Sequence, residues 1–194
     1  GAISDDVVAA VKAIDGVTVE KLAGADRIAT AKAITAKLTK PAGTFVVGLE
    51  GLADALSVAS YAAANNFAIA IANADGSIAS ADLVGDTTYI VGGTTRVANI
   101  SGVTRFGGAD RFETNAAVAK GLTFSWNKAY VANGLTLVDA LSVAPLAAQS
   151  DSFVLLVSTT AGKAVEGMTA STKVIAVGGT NAVPQKVIDG LFGD

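Results

Sequence analysis

Residues 107–114, Gly-Gly-Ala-Asp-Arg-Phe-Glu-Thr, repeat an earlier stretch of the same chain, Ala-Gly-Ala-Asp-Arg-Ile-Ala-Thr at residues 23–30. Two further blocks recur in the same order. Asp-Ala-Leu-Ser-Val-Ala occurs at 54–59 and at 139–144, and Gly-Gly-Thr occurs at 92–94 and at 178–180. The copies of these three blocks are 84, 85 and 86 residues apart, a drift that two single-residue insertions produce. The chain is therefore organised as tandem repeats.

The blocks place one repeat at residues 17–102 and a second at residues 103–194. The tail of the second repeat, residues 182–188, aligns with residues 2–8. We therefore expect residues 1–16 to be the C-terminal helix of a preceding repeat. The connection at residues 95–102 is too short to hold an equivalent helix, so we expect the two repeats to be tied closely together.

The apolar pattern predicts strands and helices that alternate through both repeats. Continuous apolar strands between helices are typical of a parallel sheet that is covered on both faces. The aromatic content is only 6%, which favours close-packed helices on a sheet. The sequence thus predicts an α/β fold with mainly parallel sheets. The expected strands are 18–22, 44–48, 67–72, 87–91, 103–106, 128–132, 153–157 and 173–177; the expected helices are 4–14, 28–38, 54–65 and 110–120, with a short element within 74–86.

Composition excludes several classes of function. The chain has no cysteine and no histidine, which removes disulfides, thiol nucleophiles, histidine-dependent catalysis and the usual zinc ligand sets. Its net charge is -3 and it has no basic run, so we expect no nucleic acid partner. The most apolar region, residues 53–72, is interrupted by polar side chains and does not predict a membrane span. We expect no membrane partner, no bound metal and no cofactor.

The acidic residues of the repeated blocks stand where helices are expected to begin. Asp26 and Asp110 follow a glycine turn, and a carboxylate there can accept hydrogen bonds from exposed backbone N–H groups. Glu113 gives the second copy alone a pair that resembles a capping box. Asp54 and Asp139 are likewise predicted to be N-caps. The alternative for Asp26 and Asp110 is a contact to a ligand.

The arginines are the candidate ligand-binding residues. Arg27 and Arg111 lie in the first turn of a predicted helix, where the helix dipole opposes a positive charge. A guanidinium can hold a phosphate or a carboxylate with two parallel hydrogen bonds, but an ion pair with a neighbouring repeat is an equal alternative. Arg96 and Arg105 are the other two candidates. The glycines at 92–93 and 178–179 allow either a tight turn or a close backbone approach to a ligand.

The ordered set Gly-Ala-Asp-Arg-x-x-Thr, Asp-Ala-Leu and Val-Gly-Gly-Thr resembles the cell-wall-binding repeat type 2 family of clostridial surface-layer and other Gram-positive surface proteins. The resemblance implies Rossmann-like or Toprim-like repeats, often three around a pseudo-threefold axis. It also implies a secreted, non-catalytic module of the cell wall or surface layer that binds an anionic secondary cell-wall polymer. Because only two repeats are complete, we expect further copies from the parent chain or from self-association, in a trimeric arrangement.

Two other functions stay open at this stage. One is a structural or protein-interaction module of a surface protein that does not bind polymer. The other is a Toprim-type enzyme, since Glu50 lies in a block that resembles the acidic motif of those magnesium-dependent enzymes. The second repeat has no equivalent glutamate, and no Gly-x-Gly-x-x-Gly fingerprint of dinucleotide binding follows a strand.

Overall fold

The computed structural model describes residues 3–193; positions 1, 2 and 194 of the two terminal segments defined above lie outside it. The short element predicted within residues 74–86 is a 3-10 turn at Ser80–Asp82. In chain order the elements are α1 (Asp5–Lys12), α2 (Arg27–Thr35), β1 (Gly43–Val47), α3 (Leu52–Ala64), β2 (Phe67–Ile71), β3 (Thr87–Val91), β4 (Thr104–Phe106), α4 (Arg111–Gly121), β5 (Lys128–Asn133), α5 (Val138–Ala148), β6 (Phe153–Val157), β7 (Lys173–Val177) and α6 (Gln185–Asp189).

The strands form two parallel sheets, and the three strands of the second sheet correspond in order to the first three of the first sheet. The first has the strand order β2-β1-β3-β4 and the second has the order β6-β5-β7. The central strands pair in matching registers. Phe45 of β1 lies opposite Ile69 and Tyr89, and Tyr130 of β5 lies opposite Val154 and Ile175. The predicted α/β class with parallel sheets is confirmed.

Strand β4 belongs to the second repeat by sequence and to the sheet of the first repeat by pairing. It begins after residue 102, yet it pairs with β3 of the first repeat, with Val91 opposite Phe106. The strand predicted at its counterpart, residues 18–22, is wrong: these residues form no strand. A strand needs a neighbour to satisfy its backbone hydrogen bonds, and β4 has β3, whereas no sheet edge of the described chain pairs with residues 18–22.

The few aromatic residues cluster where the repeats meet. Phe45 stacks on Tyr89 at 5.4 Å between ring centroids. Tyr61 of α3 meets Phe124 edge-on at 5.5 Å, and Phe124 in turn meets Phe153 of the second sheet at 4.9 Å. One core therefore runs continuously from the first sheet to the second. The bulky side chains that the composition makes scarce are concentrated at the junction.

Helix α3 is the element shared by both repeats. One side packs on β1 and β2 of its own sheet, and the other side packs on α4, α5 and β6. Small and polar side chains make this close approach possible, since Ala53 and Ser57 are buried in the second interface. Asn115 of α4 is fully buried and donates a hydrogen bond to the Ser57 hydroxyl at 3.0 Å. The tight junction predicted from the short connection is thus built around α3.

Candidate functional site

The two aspartates of the repeated glycine turns are helix N-caps. The Asp26 carboxylate accepts a hydrogen bond from the N–H of Ala29 at 2.8 Å. The Asp110 carboxylate accepts two, from Phe112 at 2.8 Å and from Glu113 at 2.9 Å. The N-cap interpretation is confirmed for both residues. One oxygen of each carboxylate is therefore committed to starting a helix.

The threonine that ends each motif locks the turn to the helix. The N–H of Gly24 donates to the hydroxyl of Thr30 at 3.0 Å, and the N–H of Gly108 donates to Thr114 at 3.2 Å. In the second copy Glu113 also reaches back and accepts from the backbone N–H of the residue before the cap, at 2.8 Å. The capping-box-like pair predicted for the second copy alone is confirmed. Glycine, aspartate and threonine of the motif thus have structural roles.

The motif arginines hold the loop that follows the central strand. Arg27 Nη1 donates to the backbone oxygen of Leu49 at 2.9 Å, and Arg111 Nη1 donates to that of Gly134 at 2.7 Å. Leu49 and Gly134 occupy equivalent positions of the two repeats. The guanidinium of each copy therefore positions the loop in front of α3 or α5.

The repeats differ in what else these arginines contact. Arg27 forms an exposed ion pair with Glu50 at 3.0 Å. The position equivalent to Glu50 is Leu135 in the second repeat, and no carboxylate of the described residues lies within ion-pairing distance of Arg111. The charge of Arg27 is partly neutralised, while that of Arg111 has no ion pair among the described residues.

The predicted N-cap role of Asp54 and Asp139 is wrong. Helix α3 begins after Gly51 and α5 begins after Leu137, and neither aspartate makes a capping hydrogen bond. Each lies in the first helical turn. The helices start before the aspartates, at Leu52 and Val138, so both carboxylates lie past the Ncap position from which a side chain accepts hydrogen bonds from exposed N–H groups.

Each of these carboxylates lies instead against the glycine that follows the third strand of its sheet, β3 or β7. A Cβ atom at Gly92 would lie 2.5 Å from Asp54 Oδ2, and Gly92 has a φ of 109°. Gly178 repeats both features, with a φ of 110° and the same 2.5 Å separation from Asp139 Oδ2. The positive φ of both glycines fits the turn that the sequence predicts, and the missing side chain leaves room for the carboxylate; a close approach to a ligand stays a prediction.

Asp54 is influenced electrostatically by two guanidinium groups from different repeats, without an ion pair to either. Burial raises the pKa of its carboxyl group, and the nearby charges of Arg96 and Arg111 oppose that rise. Arg96 follows β3 and is exposed, Arg111 starts α4 and is exposed, and neither comes within ion-pairing distance of a described carboxylate. We call Asp54, Arg96 and Arg111 the junction site. Two cations around one half-buried carboxylate leave an excess positive charge that can bind an anion.

The second repeat alone does not reproduce the junction site. Asp139 is the counterpart of Asp54, but Ala182 stands at the position of Arg96. The third member, Arg111, comes from the repeat that follows Asp54 in the chain. Sequence analysis names Arg96 and Arg111 as candidates but misses Asp54, because it interprets Asp54 as an N-cap. The recurrence of this aspartate as Asp139, together with the repeated Gly-Gly block, was the signal in the sequence that could have shown its role.

Arg105 does not fit its predicted role as a ligand contact. Its guanidinium is half-buried and donates to the backbone oxygens of Gly92 and Val97, both at 2.8 Å. Further hydrogen bonds reach Ala98 at 3.3 Å and Asn99 at 3.0 Å. Burial lowers the pKa of this arginine. Its donors are engaged within the chain, so it ties β4 to the loop after β3.

An apolar groove of about 830 Å³ lies open on the first repeat, between α2, α3 and β2. Ala31 and Ile34 of α2, Ala55 and Ala59 of α3, and Ile69 of β2 contribute to its lining. The equivalent surface of the second repeat, formed by α4, α5 and β6, is covered by α3. The groove is therefore a second copy of the surface on which the two repeats pack.

No helix within residues 3–193 is long and apolar enough to cross a membrane. No group of three or more acidic side chains in that range is arranged to hold a metal ion.

Both repeats match the same protein family. The family model described as cell wall binding domain 2 matches residues 21–100 and 105–188. The N-acetylmuramoyl-L-alanine amidase LytC of Bacillus subtilis (strain 168) is 28% identical, over 90% of this chain and 39% of the amidase.

Two solved structures have a similar fold. Cwp8 from Clostridium difficile has a TM-score of 0.81 at 27% identity, over 96% of this chain and 35% of that chain. Cwp6 from Clostridium difficile has a TM-score of 0.71 at 26% identity, over 87% of this chain and 30% of that chain. The chain thus spans less than two fifths of the length of each relative. The resemblance stated from the sequence is confirmed.

Proposed function

Because this chain belongs to the cell wall binding domain 2 family, we propose that it is a non-catalytic module that attaches a secreted surface protein non-covalently to an anionic secondary polymer of a Gram-positive wall. Family membership itself assigns a cell-wall-binding role and association with the wall or surface. The observation that supports an anionic ligand is the junction site, where Arg96 and Arg111 have no carboxylate of the described chain within ion-pairing distance.

The charge of the whole chain does not attract such a polymer. The net charge is -3, so long-range attraction is absent and recognition depends on local, short-range contacts. A guanidinium provides these by donating two parallel hydrogen bonds to one phosphate or carboxylate. Arg96 and Arg111 approach the same place from the two repeats, which fits a ligand that contacts both. Binding of this kind weakens as salt rises.

The other predicted ligand residues rank below these two. Arg27 forms an ion pair with Glu50, and the guanidinium of Arg105 donates its hydrogen bonds to backbone oxygens of the chain itself. Asp26 and Asp110 repel an anion directly and support the site by starting the helices that carry Arg27 and Arg111. Arg96 and Arg111 therefore carry the proposal.

The test is sedimentation with purified wall, before and after chemical removal of its secondary polymers. The double variant Arg96→Gln with Arg111→Gln is expected to bind wall at least about tenfold more weakly, since a hydrogen bond to a charged group contributes about 1.5–3 kcal/mol. Arg27→Gln is the matched control, because it changes the same motif position at a paired arginine; its binding should stay within about twofold. Thermal unfolding checks that both variants fold.

Two outcomes contradict the proposal. One is full binding by the double variant with an unchanged dependence on salt. The other is full binding to wall from which the secondary polymers have been removed. Either result would move the ligand away from the junction site or away from an anionic polymer.

A second candidate function is association with further copies of the repeat, and the open groove favours it. The face of α3 that packs on the second repeat includes Ala53 and Leu56, which are 8% and 3% exposed. Their counterparts on α5, Val138 and Leu141, are 67% and 59% exposed. We propose that another repeat, from the parent chain or from a second molecule, covers this face or seats in the groove, as a trimeric arrangement requires.

Sedimentation velocity tests this association over a micromolar concentration range. Self-association that Leu141→Glu abolishes would support it. A strict monomer that binds wall with full affinity would show that no further repeat is needed. If association persists and wall binding is absent, the chain is a protein-interaction module without polymer binding.

A further inference from the structure

The sheet of the first repeat is completed by a strand that the second repeat provides. Strand β4 lies parallel to β3, with Tyr89 opposite Thr104 and Val91 opposite Phe106. The N–H of Gly92 continues this ladder by donating to the backbone oxygen of Phe106 at 2.8 Å. We call residues 104–106, which lead into a Gly-Ala-Asp-Arg turn, an entry strand. The second repeat thus provides a strand to the sheet of the first, in addition to the packing of both repeats on α3.

The entry strand also carries a cation that fixes its position. Arg105, its middle residue, donates to the backbone oxygens of Gly92 and Val97 in the loop that follows β3. These two contacts link the strand to the end of its neighbour. The pairing of this three-residue strand is therefore reinforced by a side chain that donates hydrogen bonds to the loop after β3.

The equivalent edge of the second repeat is open. Strand β7 stands at the position of β3 and is the last strand of the three-stranded sheet in the described chain. Gly178 and Val183 are the counterparts of Gly92 and Val97, and no described residue donates a side-chain hydrogen bond to their backbone oxygens. An unpaired edge with a row of free backbone groups is a template for another strand.

Residues 20–22 have the sequence of an entry strand, but they pair with no strand of the described chain. Residues 20–22, Glu-Lys-Leu, align with residues 104–106 and precede the first Gly-Ala-Asp-Arg turn. Lys21 puts a cation at the position of Arg105, and its only ion-pair partner among the described residues is the exposed Asp5 at 3.5 Å. Leu22 is half-buried, whereas its counterpart Phe106 is buried. This segment has the sequence of an entry strand and lacks the sheet that would order it.

We infer that β7 accepts the entry strand of another copy of this repeat by parallel β-addition. Ile175, Ala176 and Val177 then lie opposite the three residues of the incoming strand, and its central lysine or arginine binds the backbone oxygens of Gly178 and Val183. Main-chain hydrogen bonds supply the binding and the cation supplies the register. The inference stands on the β3 and β4 pairing and does not depend on polymer binding.

The test tethers an entry strand to the intact 194-residue chain. A flexible Gly-Ser linker of about 12 residues, with a root-mean-square span of roughly 20 Å, is followed by Val-Thr-Arg-Phe-Gly-Gly-Ala, the sequence of residues 103–109. Amide hydrogen exchange is then measured by NMR without any wall present. Strand addition should slow exchange at Ala176 and Gly178 at least about tenfold, because N–H groups two residues apart point to the same side of a strand.

Two controls make the result specific. A tether with glutamate in place of its arginine should give at most a small part of that protection. Ala176→Pro removes a backbone donor on the open edge and should abolish it, and the charge-reversed tether decides the matter if this variant does not fold.

The inference is overturned if the arginine tether leaves exchange at Ala176 and Gly178 unchanged. It is also overturned if the glutamate tether protects them equally. Because no wall is present, failure here leaves the polymer proposal intact, and failure of wall sedimentation leaves this inference intact.

Discussion

Replacing Asn115 by alanine tests how the two repeats are joined. Asn115 is fully buried on α4. Its amide donates to the backbone oxygen of Val154 at 3.1 Å and accepts from the N–H of Leu156 at 3.0 Å. Strand β6 is the edge of its sheet in the described chain, so this side chain takes the place of a neighbouring strand. Its remaining amide hydrogen bonds Ser57 of the first repeat.

The expected loss of stability follows from the groups that the substitution leaves without partners. Two buried backbone groups of β6 lose their hydrogen bonds, and each such loss costs about 1–3 kcal/mol. The small cavity left by the side chain adds to this loss, whereas partial relaxation of the surrounding residues reduces it. We therefore expect the free energy of unfolding to fall by about 3 kcal/mol. Asn65→Ala, an exposed asparagine with one hydrogen bond to the Tyr61 backbone, should lose less than about 1 kcal/mol.

Urea unfolding measures this change with two probes. Fluorescence of Trp126, the single tryptophan, reports on the second repeat, and far-ultraviolet circular dichroism reports on the whole chain. The two transitions should coincide, since α3 belongs to both repeats. A double-mutant cycle with Ser57→Ala isolates the contact between repeats, for which we expect a coupling energy of about 1 kcal/mol. A loss below about 1 kcal/mol for Asn115→Ala would refute this account of the junction.

Three further predictions concern the repeated motifs. Gly92→Ala should lower the free energy of unfolding by about 2 kcal/mol, measured by urea titration, because a positive φ and the Asp54 carboxylate both oppose a Cβ there; Gly93→Ala, with only one atom 3.9 Å away, is the control and should change little. Asp110→Ala should cost about 1 kcal/mol in the same assay through loss of a cap. Burial raises the pKa of Asp54, so the folded chain binds its proton more tightly than the unfolded chain does. Its contribution to stability is therefore complete below the unfolded pKa and is lost as pH rises through the folded value. Asp54→Asn should remove that dependence, so that wild type loses stability relative to the variant between pH 3 and pH 7; a constant difference would contradict this.

The fold was predictable because each element has a local signal. The apolar runs at β1, β2 and β6 are continuous, and the glycine turns mark the starts of α2 and α4. The prediction failed at residues 18–22, where the composition is that of a strand but no strand of the described chain pairs with them. Strand formation depends on a neighbour, and a single sequence does not show which neighbour is present.

The site was less predictable because its members come from three separate segments. Asp54, Arg96 and Arg111 are brought together by the packing of α4 against α3, a contact between repeats that no local pattern encodes. Arg105 was misplaced among the ligand residues for a related reason. An arginine in an exposed-looking strand gives no sign that four acceptors surround it until β4 is known to pair with β3.

The differences between the repeats say more about function than their identities do. The shared residues of the Gly-Ala-Asp-Arg-x-x-Thr motif cap a helix, lock a turn and position a loop, all of which the fold requires in any copy. Glu50 against Leu135 and Arg96 against Ala182 change the charge around that common frame. Arg111 keeps a free charge because Leu135 replaces the glutamate, and Arg96 adds a second charge only at the junction. Two copies of the motif therefore yield a single junction with this pair of unpaired arginines, which is why the proposed anion site is placed there and not at the motif itself.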